Sequence, residues 1–214
     1  MIGRPGLFYQ TYEWRGRTEF LMRIGDPAAP AILFIPPLFE EMNRTRSLIA
    51  GAMRGLAARG FSCWLADLPG TGESERRLEE TSWDDWRGAV TGIEVGAIGV
   101  ASLRGGCLLD DAVGARTWRL APATGASLLR DLSRAGAMGG AKNAGYPIGD
   151  DLISSLSNAV PAETAPLRTT RLSTDPGPAD AKFEGPALWR RSEPAGSPAL
   201  AEMMAADMAA WFAA

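Results

Sequence analysis

Two short runs in the first third of the chain are apolar at nearly every position: Pro30-Ala31-Ile32-Leu33-Phe34-Ile35 and Phe61-Ser62-Cys63-Trp64-Leu65-Ala66. Unbroken runs of this length suit strands buried on both faces, as in a parallel sheet covered by helices. Between them, Leu48, Ile49, Ala52, Met53, Leu56 and Ala57 recur at helical spacing over residues 43–59, and Gly60 supplies a C-terminal cap. The alternation then repeats. Thr81 or Ser82 caps a helix carrying Trp83, Trp86, Val90 and Ile93, a strand follows at 95–101, and a short helix runs over 106–113. A strand at 116–121, helices at 125–138 and 150–160, a strand at 167–173 and a final amphipathic helix at 198–212 complete the pattern. The Pro-, Gly- and Asp-rich stretch 174–186 reads as mostly loop. Ahead of all this, residues 7–14 and 19–24 alternate apolar with polar around Arg15-Gly16-Arg17, which predicts a β-hairpin. The expected fold is α/β: a mostly parallel sheet with helices on both faces and an N-terminal antiparallel hairpin. No repeat or composition break divides residues 1–214, so a single domain is expected.

Composition removes several functions. The net charge is −3, and 20 of the 22 basic residues are arginine, a balance that reflects a GC-rich genome better than a nucleic-acid surface. The N-terminus carries no signal-peptide pattern and no run approaches the roughly 18 apolar residues of a membrane helix, so a cytoplasmic location is expected. With no histidine and only Cys63 and Cys107, both inside apolar segments, neither a zinc site nor another metal or cofactor is expected, and both thiols read as reduced core residues.

Two motifs narrow the fold. Asp67-Leu68-Pro69-Gly70-Thr71-Gly72-Glu73-Ser74 follows a buried strand and looks like the tight turn that α/β-hydrolases carry there. It lacks the lysine and glycine spacing of a phosphate loop, and Asp67 and Ser74 read as turn-stabilising. Downstream, the fold should present a nucleophile elbow, G-x-S-x-G, between a strand and a helix. Here the chain reads Ser102-Leu103-Arg104-Gly105-Gly106. Small residues are needed two before and two after the apex, because the strained turn brings two backbones together. Ser102 and Gly106 meet that need only with Arg104 at the apex, where it should adopt a positive φ. The elbow survives without a nucleophile, and without histidine no Ser-His-Asp triad can form.

These residues resemble one family, the exosortase A system-associated hydrolase 2 proteins of bacteria with the PEP-CTERM sorting system. The resemblance rests on Ile35-Pro36-Pro37-Leu38-Phe39-Glu40-Glu41-Met42-Asn43-Arg44-Thr45-Arg46, which is similar to that family's P-P-F-x-E-E-M-N-K-x-R block. It also rests on the 67–74 turn, Trp83-Asp84-Asp85-Trp86 and Leu103-Arg104-Gly105-Gly106, with weaker echoes at Ala144-Gly145-Tyr146 and Leu188-Trp189. The family's elbow reads G-L-R-L-G, with arginine at the apex, and Ser102 stands where it has glycine. The present chain is compact, with no insertion large enough for a lid. The resemblance implies an α/β-hydrolase fold and a partner, small molecule or protein, in an exosortase- and exopolysaccharide-linked system.

Open α/β sheets bind ligands at the carboxyl ends of their strands. That rule gathers the loops at 36–43, 67–74 and the Arg104 elbow, giving Phe39, Glu40, Glu41, Asn43, Arg46, Ser102 and Arg104 as candidate cleft residues. A buried guanidinium must be paired, so Glu41, or failing it Glu40, should meet Arg104. Two functions stay open. Glu40, Glu41 and Arg104 could serve an atypical hydrolase or acyl-transfer site, with Glu as general base and Arg as polarising group. Alternatively the pair only locks the loops, in a catalytically inactive relative that binds a partner protein or an acidic metabolite. Arg190, Arg191 and Glu193 fall in the loop where a triad histidine would sit and read as a solvated loop, while Trp83, Trp86, Trp189 and Trp211 read as packing residues.

Overall fold

One eight-stranded sheet organises the computed structural model, which describes residues 6–139 and 145–214. Residues 1–5, where no leader is expected, and Ala144 lie outside the described residues. The strands are β1 (Leu7–Trp14), β2 (Arg17–Ile24), β3 (Ala31–Ile35), β4 (Ser62–Ala66), β5 (Ala97–Leu103), β6 (Arg116–Leu120), β7 (Leu167–Leu172) and β8 (Ala181–Phe183). Their spatial order is β1-β2-β4-β3-β5-β6-β7-β8. The β1–β2 and β2–β4 pairs are antiparallel, and every other pair is parallel. β3 and β5, each with a partner on both sides, are the apolar centre that the sequence pattern requires.

Five α-helices cover the faces: α1 (Glu40–Ala57), α2 (Trp83–Thr91), α3 (Gly125–Gly139), α4 (Asp150–Asn158) and α5 (Pro198–Ala213). α1 and α5 lie together over one face, where Leu48, Met53 and Leu56 pack with Met204, Met208 and Phe212. Their contact is close because glycine faces alanine: a Cβ on Gly51 would stand 2.9 Å from that of Ala201, and one on Gly55 2.6 Å from that of Ala205. The opposite face buries Trp86, Val90, Leu128, Leu152 and Leu156 from α2, α3 and α4.

The structure corrects several boundaries. α1 begins at Glu40 rather than Asn43, so both glutamates belong to its first turn, where the helix dipole favours acidic side chains. The apolar spacing starts only at Leu48, and this polar first turn hid the true start. The helix expected at 106–113 is two 3₁₀ turns, Arg104–Leu108 and Asp110–Val113. β8 lies inside the stretch read as loop, and its three residues are too few for a periodic signal; Phe183 stacks on Trp118 with ring centroids 6.5 Å apart. The final helix is apolar around most of its circumference rather than amphipathic, and buries Leu200, Met204, Met208 and Phe212.

Asp85 ties the hairpin to the body of the domain. As N3 of α2 it closes a capping box with Ser82, accepting from the Ser82 amide at 3.0 Å and hydroxyl at 2.8 Å. Its other oxygen accepts from Trp14 Nε1 at 3.3 Å and Arg15 Nη1 at 2.9 Å, with Arg76 at 3.0 Å. Burial pushes the carboxyl up, but these donors together outweigh it and hold the group at about 2. A depressed folded-state value stabilises the protein above the unfolded value of 3.8, and that contribution is lost as pH falls through about 2. Asp85→Asn should therefore destabilise the fold by about 1–2 kcal/mol at pH 7. In paired thermal melts the gap to the unaltered protein should close between pH 4 and 2. A gap that persists at pH 2 would show that packing, not charge, makes Asp85 matter.

Candidate functional site

Three adjacent strands of the sheet centre end in backbone strain. Phe39 beyond β3, Arg104 beyond β5 and Ala121 beyond β6 are non-glycine residues with φ of 57°, 52° and 48°, a conformation that tends to cluster at binding and catalytic sites. Arg104 is the apex of the elbow. β5 runs through Leu103, the chain reverses at Arg104, and a 3₁₀ turn follows. The crowding is as the motif requires. A Cβ on Gly106 would lie 2.5 Å from the Pro36 carbonyl oxygen and 2.6 Å from that of Ile35.

The positive φ aims the Arg104 side chain at α1. Arg104 Nη2 donates to Glu41 Oε1 at 2.9 Å and Nε to Glu41 Oε2 at 3.1 Å, a fork-on-fork pair with each side chain 12% exposed. Nη1 donates to the Ala121 carbonyl at 3.4 Å, and the guanidinium lies 5.1 Å from the centre of the Trp189 ring. Burial raises the Glu41 carboxyl above its ordinary range, with Arg104 pulling it back. Glu40, the second candidate, turns elsewhere: it accepts from Tyr146 Oη at 3.1 Å and faces Arg44 at 3.6 Å.

Above the elbow opens a cleft of about 520 Å³, walled by α1, α3 and the Trp189 segment, and Phe39, Glu40, Glu41 and Arg104 all line it. Three other sequence candidates are placed differently. Asn43 lies on the next face of α1 and lines a separate groove of about 340 Å³ with Gly70, Gly72 and Tyr146. Arg46 lines neither cavity and acts on Asp67 by charge. Ser102 belongs to β5, and the strand pleat points it beneath the elbow, where it is fully buried. There its hydroxyl donates to Asp110, which also takes a bidentate pair from Arg119 at 2.8 and 2.6 Å. Arg119 Nη2 further donates to the Ala162 carbonyl at 2.8 Å.

The sequence reading missed Asp110, Arg119, Trp189 and Tyr146. A signal existed for the first two: charges inside otherwise apolar stretches need a buried partner. Trp189 stands in the segment beyond β8, where a triad of this architecture would place histidine. Asp67 and Ser74 hold their turn, since Asp67 accepts from the Glu73 amide at 3.2 Å and Ser74 Oγ from the Gly70 amide at 2.9 Å. At Gly72, with φ of 57°, a Cβ would fall 2.4 Å from Asp67 Cγ, so the second glycine of the motif is a steric requirement. Glu193 is exposed outside the cleft. Burial drives both thiols up, Cys107 to about 12, which makes neither a nucleophile. Among the described residues no acidic, histidine or cysteine cluster could hold a metal ion, and no helix is long and apolar enough to cross a membrane.

No protein-family model matches the chain, and no curated protein sequence matches it. Solved structures do. The thioesterase domain from the curacin biosynthetic pathway superposes with a TM-score of 0.59 over 97% of this chain and 99% of that one, at 12% identity. Epoxide hydrolases of Vigna radiata (16% identity, TM-score 0.43) and Mycobacterium thermoresistibile (17%, 0.44) align with 54% of the chain. The chain spans about 40% of their length. Strand order, elbow and full-length superposition together define an α/β-hydrolase fold.

The pair at the apex generates a stability test. Removing one partner of a buried pair costs about 3–5 kcal/mol because the other charge is left uncompensated. Arg104→Met should cost an amount in that range by chemical denaturation, and Glu41→Gln less, since its amide oxygen still accepts. A change under about 0.5 kcal/mol for Arg104→Met, typical of surface positions, would mean the pair does not hold the loops.

Proposed function

We propose that this chain is a non-triad α/β-hydrolase-fold protein whose cleft binds a ligand without cleaving it. One observation carries the reading: the apex, where a nucleophile would stand, holds Arg104, and Glu41 occupies its donors. A guanidinium stays protonated and is no nucleophile; Ser102 is buried beneath the elbow, and Ser127, which does line the cleft, has no histidine in the chain to activate it. The resemblance of the Glu40-Glu41-Met42-Asn43 block supports placing the protein with the exosortase A system-associated hydrolase 2 family. On that reading it is a cytoplasmic, single-domain bacterial protein working with a small molecule or protein of the exosortase system.

A second reading keeps turnover, and one observation favours it: burial lifts the Glu41 carboxyl at the cleft floor, which is how a carboxylate becomes a general base. Against it, both Glu41 oxygens face Arg104.

Labelling and kinetics separate the two. The purified protein should take up no serine-directed fluorophosphonate and should hydrolyse activated esters no faster than denatured protein does. Stoichiometric labelling of Ser102 or Ser74 would restore a serine hydrolase. Hydrolysis without labelling that disappears in Glu41→Gln would establish the carboxylate mechanism instead.

A further inference from the structure

The cleft's charges do not balance. Four guanidiniums line it, on Arg44, Arg104, Arg134 and Arg190, against three carboxylates, on Glu40, Glu41 and Asp131, in a chain whose net charge is −3. Each carboxylate is engaged: Glu41 by Arg104, Glu40 by Tyr146 and Arg44, Asp131 loosely by Arg134 at 3.6 Å. Arg44 is further tied to the Trp189 carbonyl at 3.2 Å. Arg190 has no carboxylate partner among the described residues, and Arg134, 74% exposed, has only that loose one. The remaining wall sets Ser127 beside Leu128 and Leu132 of α3 and Trp189, which reach the cleft only by their edges, each at most 6% exposed.

We infer that the cleft takes an amphipathic anion, with a carboxylate or phosphate head held by Arg134 and Arg190 at the rim and an alkyl tail against Leu128, Leu132 and Trp189. The inference rests on reading the cleft as a binding site. Exposed guanidiniums at a cleft mouth recognise such heads through charge-assisted, bidentate hydrogen bonds, while burying the tail removes apolar surface from water. A cationic head would meet uncompensated like charge at the same place.

The test titrates the intact chain by calorimetry with octanoate, octyl phosphate, octanol and octyltrimethylammonium, and with butyrate as a short-tailed control. The anions should bind at least about tenfold more tightly than octanol or the ammonium, and octanoate more tightly than butyrate. The two anionic heads, compared with each other, identify which is preferred. The double variant Arg134→Ala/Arg190→Ala changes exposed side chains and should keep its melting temperature yet lose at least about tenfold in affinity. Arg54→Ala, exposed on the far turn of α1, should bind unchanged. Equal binding of octanol and octanoate, an unaffected double variant, or no anion binding at all would overturn the anion assignment. Equal binding of butyrate would overturn the tail. Incubation with p-nitrophenyl octanoate keeps the two readings apart: steady turnover would sink binding without cleavage, yet leave the anion preference standing.

Discussion

Two guanidinium–carboxylate pairs sit one above the other where β5 and β6 end, and the geometry of the cleft depends on both. The lower, Arg119 with Asp110, is 3% and 0% exposed by residue and has Ser102 and the Ala162 carbonyl as further partners. Dehydrating two charges is repaid only when their remaining hydrogen-bonding groups are satisfied. Here the carboxylate takes three donors, and the arrangement fastens the 3₁₀ turns after the elbow to β6. The upper pair, Arg104 with Glu41, fastens the elbow to α1. A positive φ on a non-glycine residue costs about 1–3 kcal/mol, and the fork on Glu41 offsets that strain. The floor of the cleft is thus rigid on both sides of one strained residue.

Much of this was legible in the sequence. Unbroken apolar runs located β3 and β4, and the small residues around Arg104 located the elbow without its usual serine. Pairing between Arg104 and Glu41 followed from the rule that a buried guanidinium needs a counter-charge, although Glu41 acts from a helix rather than a loop. The failures have physical causes. Ser102 looked like a cleft residue because the strand was expected to stop at Ala101; two more residues of β5 hand its direction to the sheet pleat. Trp189 looked like packing, and at 5% exposed it is, but the same residue also lines the cleft. Asp110 with Arg119, and Tyr146 with Glu40, span distances along the chain that periodicity does not encode.

The missing histidine shapes more than the chemistry of the apex. A triad needs an imidazole that changes charge near neutral pH. In its region the structure instead stacks an indole over a guanidinium, an arrangement whose charge is fixed. The groups whose proton affinity burial raises here are carboxyls, thiols and the Tyr146 phenol, and the carboxyls nearest the elbow, Glu41 and Asp110, are each clasped by an arginine. That arrangement is what the proposed reading, binding without cleavage, draws on.

The left-handed φ at residue 104 belongs to the backbone, which Gly106 and the carbonyls of Ile35 and Pro36 hold in place. The direction in which the apex Cβ leaves the backbone is therefore set by the turn, while the fork on Glu41 steadies the arginine that now fills it. A protein engineer could exchange the arginine for a hydroxyl and find it already presented to the cleft. Such an exchange would leave Glu41 without its counter-charge, and no histidine to draw off the new hydroxyl's proton. The scaffold separates the placing of a reactive group from the powering of it, and only the placing is built in.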